Sequence, residues 1–327
     1  MSDEFTLIEL SKIETDTLRK SVIDTLMMES IIMQEVPWET IGALATTIVR
    51  MGSLPSVGFR KINAGYSKST GALEQKVERI ALMGGYFDTD KAIARVKNTI
   101  ASARAITQVM MTKSIAYKFQ DKFINGNPES DPEEFKGIKE RVDDNYADGY
   151  TGQKVDFECD GVGILNSSAE SFDFLNHLDK LIYQIPGHAP NFLLMNSKLL
   201  LAIRALLRKE KLLNQAQDFF DRVIDTYGNA KMIDMSTKED LTTDIITNTE
   251  TAAGASGGTE CTSIYAIRFG IGDMFWGIQE YPLEVEDKGL LESAPIYRTE
   301  MDWPLGMAQA NQFCIARGID IIPDSSS

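Results

Sequence analysis

The side chains that most often carry catalysis are scarce in this sequence. Only two histidines occur, His177 and His188, so a Ser-His-Asp or Cys-His apparatus would have to use one of them. Neither stands in a nucleophile motif, because His177 falls inside a predicted amphipathic helix and His188 lies between Gly187 and Pro190. We therefore interpret His177 as a helix-surface residue rather than as a general base.

Metal and nucleotide sites are also poorly supported. Zinc sites need three or four Cys and His ligands at short characteristic spacings, whereas Cys159, Cys261 and Cys314 are far apart. Their odd number and wide spacing also predict no disulfide framework. The glycine-containing segments 161–163 and 270–277 lack the strand–GxGxxG–helix order of a dinucleotide site, so we interpret both as tight strands or bulges.

Carboxylates are the one catalytic side-chain type in ample supply, with 48 Asp and Glu residues. Neighbouring pairs occur, such as Asp143 with Asp144 and Glu133 with Glu134, but adjacent side chains on a helix point in different directions. So many acids also produce such pairs by chance. We therefore predict that the chain is not an enzyme and has no catalytic, cofactor or metal site.

Composition and charge limit the class of protein further. The 327 residues are 43% apolar and 25% charged, the balance of a soluble globular protein, and the net charge is −15. Broad wrapping of nucleic acid would need Lys and Arg in excess, so the acidic balance argues against it. The longest uncharged run, 181–197, is broken by two prolines and a glycine and predicts no membrane span. The acidic N-terminus is unlike a secretory signal, so we expect synthesis and folding in a reducing cytoplasm.

The N-terminal part of the chain has a helical pattern. Leu18, Val22 and Leu26 recur at four-residue intervals, and Thr15 or Asp16 can cap the helix. Acidic residues dominate the other positions. A narrow apolar stripe on a short acidic helix predicts docking on another protein surface, because membrane-surface helices are normally basic on their polar face.

A long hairpin with an irregular tip is predicted over 44–88. Closely spaced Gly and Pro residues are flanked by β-type pieces at 46–51 and 75–84. The tip cannot form a core of its own, and a loop of this length usually has a function or wraps a partner. Its large apolar residues are mainly Phe59, Ile62 and Tyr66.

An uninterrupted helix is predicted over 88–126, because no Gly or Pro occurs until Asn125-Gly126. At 1.5 Å per residue it would be roughly 50 Å long and would act as a strut. It is also the one basic segment of the chain. We favour a solvated helix face for these cations, and the alternative is contact with acidic surfaces of neighbouring chains or with DNA.

The rest of the chain has a mixed pattern that predicts one α+β domain with a central sheet and flanking helices. Helices are predicted from about residue 138, over 169–185, and once or twice over 197–223. An exposed loop is predicted over 237–263. Strands are predicted over 157–166, 191–196, 228–235, 263–269 and 273–279, and then over 295–303 and 309–322 on either side of a turn at 304–306.

This order of elements resembles the major capsid proteins of tailed bacteriophages, which have the Hong Kong 97-type fold. The resemblance covers essentially the whole chain. In that family a spine helix ends in a Gly-containing turn and is followed by an aromatic–x–Gly–Ile segment. Phe123, Asn125 and Gly126, then Phe135, Gly137 and Ile138, match this pattern. The segments that carry the resemblance are SKIETDTLRKSVIDTLMMES, SLPSVGFRKINAGYSKSTGALEQ and KFQDKFINGNPESDPEEFKGIKERV.

The resemblance implies an α+β chain with the Hong Kong 97-type capsid fold in four parts. These are an N-terminal arm over 1–43, an E-loop over 44–88, a P-domain with the spine helix over 89–137 and 291–327, and an A-domain with an α/β sheet over 138–290. An arm and a loop without cores of their own would become ordered by lying across neighbouring subunits. Because only these two parts precede the spine, we expect no N-terminal scaffolding domain, so that scaffolding would be a separate protein or absent.

The function implied is structural: self-assembly through hexamers and pentamers into the icosahedral head shell that encloses phage DNA. The implied partners are further copies of the chain, a portal protein, the separate scaffolding protein and a decoration protein. The DNA would be enclosed without sequence-specific binding, and no membrane or cofactor would be involved. We expect assembly in the host cytoplasm and a final location in the virion. The residues expected at subunit contacts are Phe59, Arg60, Lys61, Tyr66 and Lys68 in the E-loop, and Arg95, Arg104 and Lys113 on the spine helix.

Two other functions stay open at this point. An encapsulin-like compartment uses the same fold to hold an enzyme cargo, although the arm and E-loop here are more similar to the phage type. A carboxylate-dependent hydrolase belongs to a different class. It would be a small, monodisperse species that loses activity on single Asp or Glu changes.

Overall fold

The computed structural model describes residues 6–14, 16–94, 103–159, 162–251 and 260–323. The described helices are α1 (Leu7–Ile13), α2 (Thr17–Glu29), α3 (Ile31–Glu35), α4 (Lys91–Ala94), α5 (Ala103–Asn125), α6 (Ile138–Ala147), α7 (Ser168–Tyr183) and α8 (Ser197–Lys209). The described strands are β1 (Trp38–Thr40), β2 (Ala45–Ser53), β3 (Ala72–Arg79), β4 (Ala81–Asp90), β5 (Lys154–Asp156), β6 (Phe192–Met195), β7 (Asn214–Gln217), β8 (Val223–Tyr227), β9 (Ala230–Asp234), β10 (Thr262–Ile267), β11 (Phe275–Gln279), β12 (Glu284–Leu290), β13 (Ile296–Gln309) and β14 (Ile315–Ile321). The mixture of helices and sheets confirms the α+β class.

The N-terminal helices pack into the core of their own chain. Helix α2 begins after Asp16, whose side chain accepts a hydrogen bond from the Leu18 amide at 2.9 Å. Val22 and Leu26 of the predicted stripe are buried with Phe119 of α5 in one hydrophobic cluster. The predicted docking is confirmed, but the surface belongs to the same chain. The arm therefore does not need a neighbouring subunit to become ordered over α2, because α5 already covers its apolar face.

Five strands form the first sheet, in the order β1-β11-β13-β12 with β4 also paired to β13. The predicted turn at 304–306 is wrong, because β13 runs through it as one strand of 14 residues. Pro304 lies where the neighbour of β13 changes, since pairing with β12 ends at Asp302 and pairing with β11 begins at Leu305. Its carbonyl accepts a hydrogen bond from the Glu280 amide at 3.2 Å, and a proline has no N–H to donate in return, so Pro304 lies just beyond the end of the ladder with β11.

Strand β4 occupies a segment predicted as hairpin and helix. It pairs with β13 along its whole length, so the hairpin ends near residue 80, and of the two possible caps, Asp88 and Asp90, it is Asp90 that accepts a hydrogen bond from the Ala92 amide at 2.7 Å where α4 begins. Half-buried and exposed residues alternate along β4. This period of two fits a strand with one solvated face and explains why the helix begins later.

Helix α5 is the longest described part of the predicted strut. Its 23 residues span about 35 Å at 1.5 Å per residue, and positions 95–102 of the predicted helix lie outside the described residues. The predicted stop at Asn125-Gly126 is confirmed. A Cβ on Gly126 would lie 2.3 Å from the Phe135 carbonyl oxygen, so the chain can approach this closely only at a glycine.

Seven strands form the second sheet, in the order β5-β14-β10-β6-β9-β8-β7. Strand β6 is buried along its whole length, as predicted, and helices α7 and α8 confirm two further predictions. A second hydrophobic cluster lies between this sheet and the two helices, with Phe174, Leu178 and Ile203 among its fully buried residues. The sheet therefore has its own core, apart from the cluster around α5.

The structure decides one alternative in this region and contradicts two predictions. Of the one or two helices predicted over 197–223, one is present, and β7 and the turn into β8 follow it, where Asp218 accepts hydrogen bonds from the Phe220 and Arg222 amides at 2.9 and 2.8 Å. The described residues of 157–166 form no strand, because β5 ends before them at Asp156. The loop over 237–263 is not wholly exposed, since β10 begins within it and both isoleucines at 245–246 are buried.

The last strand does not return to α5. Strand β14 pairs with β10 on one side and with β5 on the other, inside the seven-stranded sheet. The described part of the segment 291–327, which the resemblance assigns to the P-domain, therefore contributes strands to both sheets. The reason is the length of β13, which carries the chain from the first sheet to the second.

Candidate assembly surface

The hairpin of β2 and β3 has little core of its own, since most of its described side chains are exposed or half-buried. Among the described residues, the two strands form ladder hydrogen bonds with each other and belong to no larger sheet. Residues 54–71 form the tip, which has no regular secondary structure. At its root a Cβ on Gly71 would lie 2.6 Å from the Ser53 carbonyl oxygen, so glycine is needed for the strands to close. The predicted hairpin with an irregular tip is confirmed.

The five E-loop residues predicted at subunit contacts all lie on this tip and are all exposed. The Arg60 guanidinium lies over the Tyr66 ring at 5.2 Å and donates to the Ala64 carbonyl at 3.3 Å. Between them Asn63 adopts a left-handed φ of 65°. Phe59 projects fully into solvent, and the tip contains three cations and no carboxylate. The other predicted residues, Lys61 and Lys68, are exposed beside them.

The two faces of the hairpin have inverted polarity. The side chains of Glu74, Lys76 and Glu78 alternate along β3 on the face that turns toward the protein. The opposite face carries Leu73 and Val77, which are 73% and 62% exposed, and Val49 of β2 is exposed beside them. A strand that only covered its own core would have the reverse pattern. Exposed apolar residues grouped on one face mark a surface that binds a partner.

Two of the three predicted contact residues of the spine helix are paired within the chain. Arg104 forms an ion pair with Asp287 at 2.8 Å, and Lys113 forms one with Glu29 at 2.8 Å. The hydrogen bond that Lys113 donates to Glu29 also raises the pKa of Lys113 above its ordinary value. These ion pairs explain both cations without a neighbouring subunit. Arg95, the third residue, lies outside the described residues.

The outer face of the first sheet is acidic. Met301 and Trp303 of β13 point into the core, so the residues between and beside them point outward. Two exposed apolar side chains of β4, Leu82 and Tyr86, share this surface, and Lys288 lies 3.5 Å from Glu300. We call it the acidic face, and its carboxylates are Glu284, Glu286, Glu300 and Asp302.

The candidate nucleophiles and bases are in unreactive surroundings. The Nδ1 atom of His177 lies 2.9 Å from the Asp173 carbonyl oxygen in its own helix, and His188 stacks on Tyr183. Burial raises the pKa of Cys159 to about 11 and the pKa values of Cys261 and Cys314 to about 12. Thiols with such pKa values are protonated at neutral pH and are poor nucleophiles.

The neighbouring carboxylates are held in ion pairs rather than in acid–base pairs. Asp143 lies 2.8 Å from Lys154, while Asp144 pairs with Lys136. Within the described ranges, no group of three His, Cys, Asp or Glu side chains is arranged to hold a metal ion. No helix in the same ranges combines the length and apolar character needed to cross a membrane.

Sequence reasoning missed a buried charged cluster at the base of the hairpin. Arg50 of β2, Glu78 of β3 and Arg141 of α6 are all buried there. The alternation along each strand shows which residues share a face, but it does not show which face is covered. A charged face turned inward is the opposite of the usual assumption, so the sequence contains no signal that would have singled out these three residues.

Solved structures show which class of fold this is. The chain matches the capsid of the native GTA particle with a TM-score of 0.56 and 11% identity, over 91% of this chain and 90% of that one. It matches Mycobacterium phage Cain with a TM-score of 0.54 and 11% identity, over 99% of both chains. The holo-SrpI encapsulin complex of Synechococcus elongatus matches with a TM-score of 0.58 and 12% identity, over 90% of this chain and 88% of that one. At these identities the likeness shows the fold alone, which is the Hong Kong 97-type capsid fold.

The family follows from the sequence. The family model of the major capsid protein GP7 matches residues 14–183, more than half of the chain, so the chain belongs to that family. It is a structural protein of a tailed-phage head shell, as the resemblance implied. No curated protein matches the sequence.

Proposed function

We propose that this capsid protein assembles through pentamers and hexamers into an icosahedral shell around phage DNA, with the hairpin as a main contact between subunits. The observation that carries the proposal is the inverted polarity of the hairpin, whose apolar residues Leu73 and Val77 are exposed while Glu78 is buried. An exposed apolar face on an element without its own core is stabilised when a second copy covers it. Closed shells arise when such heterologous contacts repeat around a rotation axis.

The parts of the chain take the following roles in this proposal. The hairpin, residues 45–79, is the E-loop. Helix α5 and the five-stranded sheet form the P-domain, and the seven-stranded sheet with α7 and α8 forms the A-domain. The segment before β1 acts as an arm whose helix α2 is docked on its own subunit.

Complementary charge favours one binding surface for the hairpin tip on the next subunit. The tip carries Arg60, Lys61 and Lys68 without a carboxylate, and the acidic face carries four carboxylates beside the apolar side chains of Leu82 and Tyr86. Opposite charges on two surfaces steer association and fix its register. The tip of one copy would therefore lie on the acidic face of a second copy.

Deletion of residues 55–70 tests the proposal. The deleted segment has no buried residue, so the subunit should stay folded while closed particles disappear. Circular dichroism would report the fold, and light scattering with negative-stain electron microscopy would report particle size. Closed particles of unchanged diameter from the deletion variant would show that the hairpin tip is not a main contact.

The proposal includes no catalytic step. The shell would enclose DNA without sequence-specific binding, and a portal protein, a separate scaffolding protein and a decoration protein would join it during assembly in the host cytoplasm. The net charge of −15 supports a wall that does not bind DNA tightly. Co-purification of the chain with these partners from infected cells would test this part.

An encapsulin-like compartment is the second candidate, supported by the likeness to the Synechococcus elongatus encapsulin. The two functions differ in what the particle holds. Purified particles that contain nuclease-protected DNA favour the phage head, whereas particles with a stoichiometric protein cargo and no DNA favour the compartment.

A further inference from the structure

Besides the exposed Lys76–Asp148 ion pair and a hydrogen bond from Tyr150 Oη to the Gly52 carbonyl, few buried side chains attach the hairpin to the rest of the subunit. Of the side chains described in β2 and β3, only Ile48, Arg50 and Glu78 are buried. Ile48 packs in a small apolar cluster with Trp276 and Ile278. A two-stranded hairpin is marginally stable by itself, so its direction depends on these attachments. Two of the three are charged.

The charged attachments form one cluster around Glu78. Both carboxylate oxygens of Glu78 accept from Arg141, at 2.6 Å from Nη1 and 2.8 Å from Nη2. The Nη2 atom of Arg50 lies 3.5 Å from Glu78 Oε1. This fork-to-fork geometry between Arg141 and Glu78 fixes the angle between the two side chains as well as their distance.

Each arginine is also fixed to backbone carbonyls. Arg141 donates from Nη2 to the Met307 carbonyl at 2.8 Å and from Nε to the Lys136 carbonyl at 3.1 Å. Arg50 donates from Nε to the Gln309 carbonyl at 2.7 Å. The cluster therefore ties both hairpin strands to the last residues of β13 and to the first turn of α6.

The balance of charge makes Glu78 the central member. Two buried guanidinium groups share this one carboxylate, and burial lowers the pKa of Arg50, with a further lowering by Arg141 that Glu78 opposes. Replacing a buried ion pair by apolar residues often costs no stability, whereas removing one partner leaves an uncompensated charge. Orientation, rather than stability, is what such a cluster supplies best.

We propose that Glu78 is a positioning residue of subunit association, because its bidentate pair with Arg141 fixes the direction in which the hairpin leaves the subunit. The position of the tip relative to the next copy follows from that direction, since a small rotation at the base moves a long hairpin far at its end. The inference rests on the proposed contact between the hairpin and a second copy. It means that Arg50, Glu78 and Arg141 determine where the tip meets the second copy, although none of the three lies in that contact.

Two variants of the full chain test the inference. Glu78→Gln keeps the shape and removes the charge, and Arg141→Lys keeps the charge but loses the fork. In unassembled subunits, both should raise the hydrogen exchange of hairpin amides by about 10-fold or more, while exchange in β6 stays unchanged. Particle assembly should fail or give particles of mixed diameter. Lys76→Gln is the matched control, since it removes an exposed pair with Asp148 from the same face of the same strand.

The outcomes separate this inference from the proposed function. Hairpin exchange that stays at the level of Lys76→Gln in both variants would overturn the inference, and so would uniform normal particles from a variant with a loosened hairpin. Because Arg141→Lys retains a buried cation near Glu78, it remains informative if Glu78→Gln fails to fold. Normal assembly after deletion of 55–70 would instead refute the tip contact, while the exchange measurement still decides whether Glu78 orients the hairpin.

Discussion

The hairpin and the seven-stranded sheet differ in which side chains they bury. Every side chain of β6 is buried. Phe192 and Leu194 belong to the hydrophobic cluster around α5, and Leu193 and Met195 belong to the cluster with α7 and α8. In β3 the apolar residues face solvent and a carboxylate is buried. The apolar residues of the sheet are therefore covered within one chain, whereas those of the hairpin are covered only in the proposed contact with a second copy. A protein that must fold first and assemble later needs both kinds of region.

The largest expected effect is a loss of folding stability when the core of the seven-stranded sheet is changed. Phe192→Ala should lower the free energy of unfolding by about 3–5 kcal/mol, because it removes a fully buried ring and leaves a cavity. Leu73→Ala, the counterpart in the hairpin, should change it by less than about 0.5 kcal/mol. Denaturant unfolding of both variants measures the difference. Similar losses in the two variants would mean that the two regions do not differ as described.

The next effect concerns association rather than folding. Arg60→Glu combined with Lys61→Glu should raise the concentration needed for assembly by about 10-fold or more, since the tip would then repel the acidic face. Circular dichroism should stay unchanged. Light scattering across a concentration series measures the shift, and the variant Arg60→Lys with Lys61→Arg is the control.

A compensating change sharpens the test of where the tip lies. Glu300→Lys combined with Asp302→Lys should restore assembly of the charge-reversed variant, because the two surfaces would again carry opposite charges. If this quadruple variant assembles no better than the charge-reversed one, the tip contacts another surface.

The smallest expected effect lies at the edge of the first sheet. Arg298 holds Asp88 by hydrogen bonds of 2.8 and 2.7 Å, and these lower the pKa of Asp88 below its ordinary value of 3.8. A carboxylate with a lowered pKa stabilises the fold above its ordinary pKa and loses this contribution as the pH falls through the lowered value. Asp88→Asn should therefore lower the melting temperature by about 1 °C at pH 7. The difference from the unchanged chain should vanish near pH 2, and a difference that persists there would show that the ion pair is not its cause.

The sequence by itself determined the elements whose signals are local. The apolar stripe and polar flanks of α7, the apolar run of β6 and the Asn125-Gly126 stop each follow from a few consecutive residues, and each is found where it was predicted. The exposed hairpin tip was also evident, because a segment with few large apolar residues cannot cover itself. The family resemblance depended on the order of these same elements.

Only the tertiary structure decided which partner each element has. From the sequence, Pro304 predicted a turn. In the structure it lies inside β13, at the point where the neighbouring strand changes from β12 to β11. From the sequence, Arg104 and Lys113 could have contacted a neighbouring subunit. In the structure they form ion pairs with Asp287 and Glu29, which are distant in the sequence. The buried face of the hairpin is the clearest case. A period of two fixes which side chains lie together, but the covered side is set by residues as distant in sequence as Arg141 and Met307.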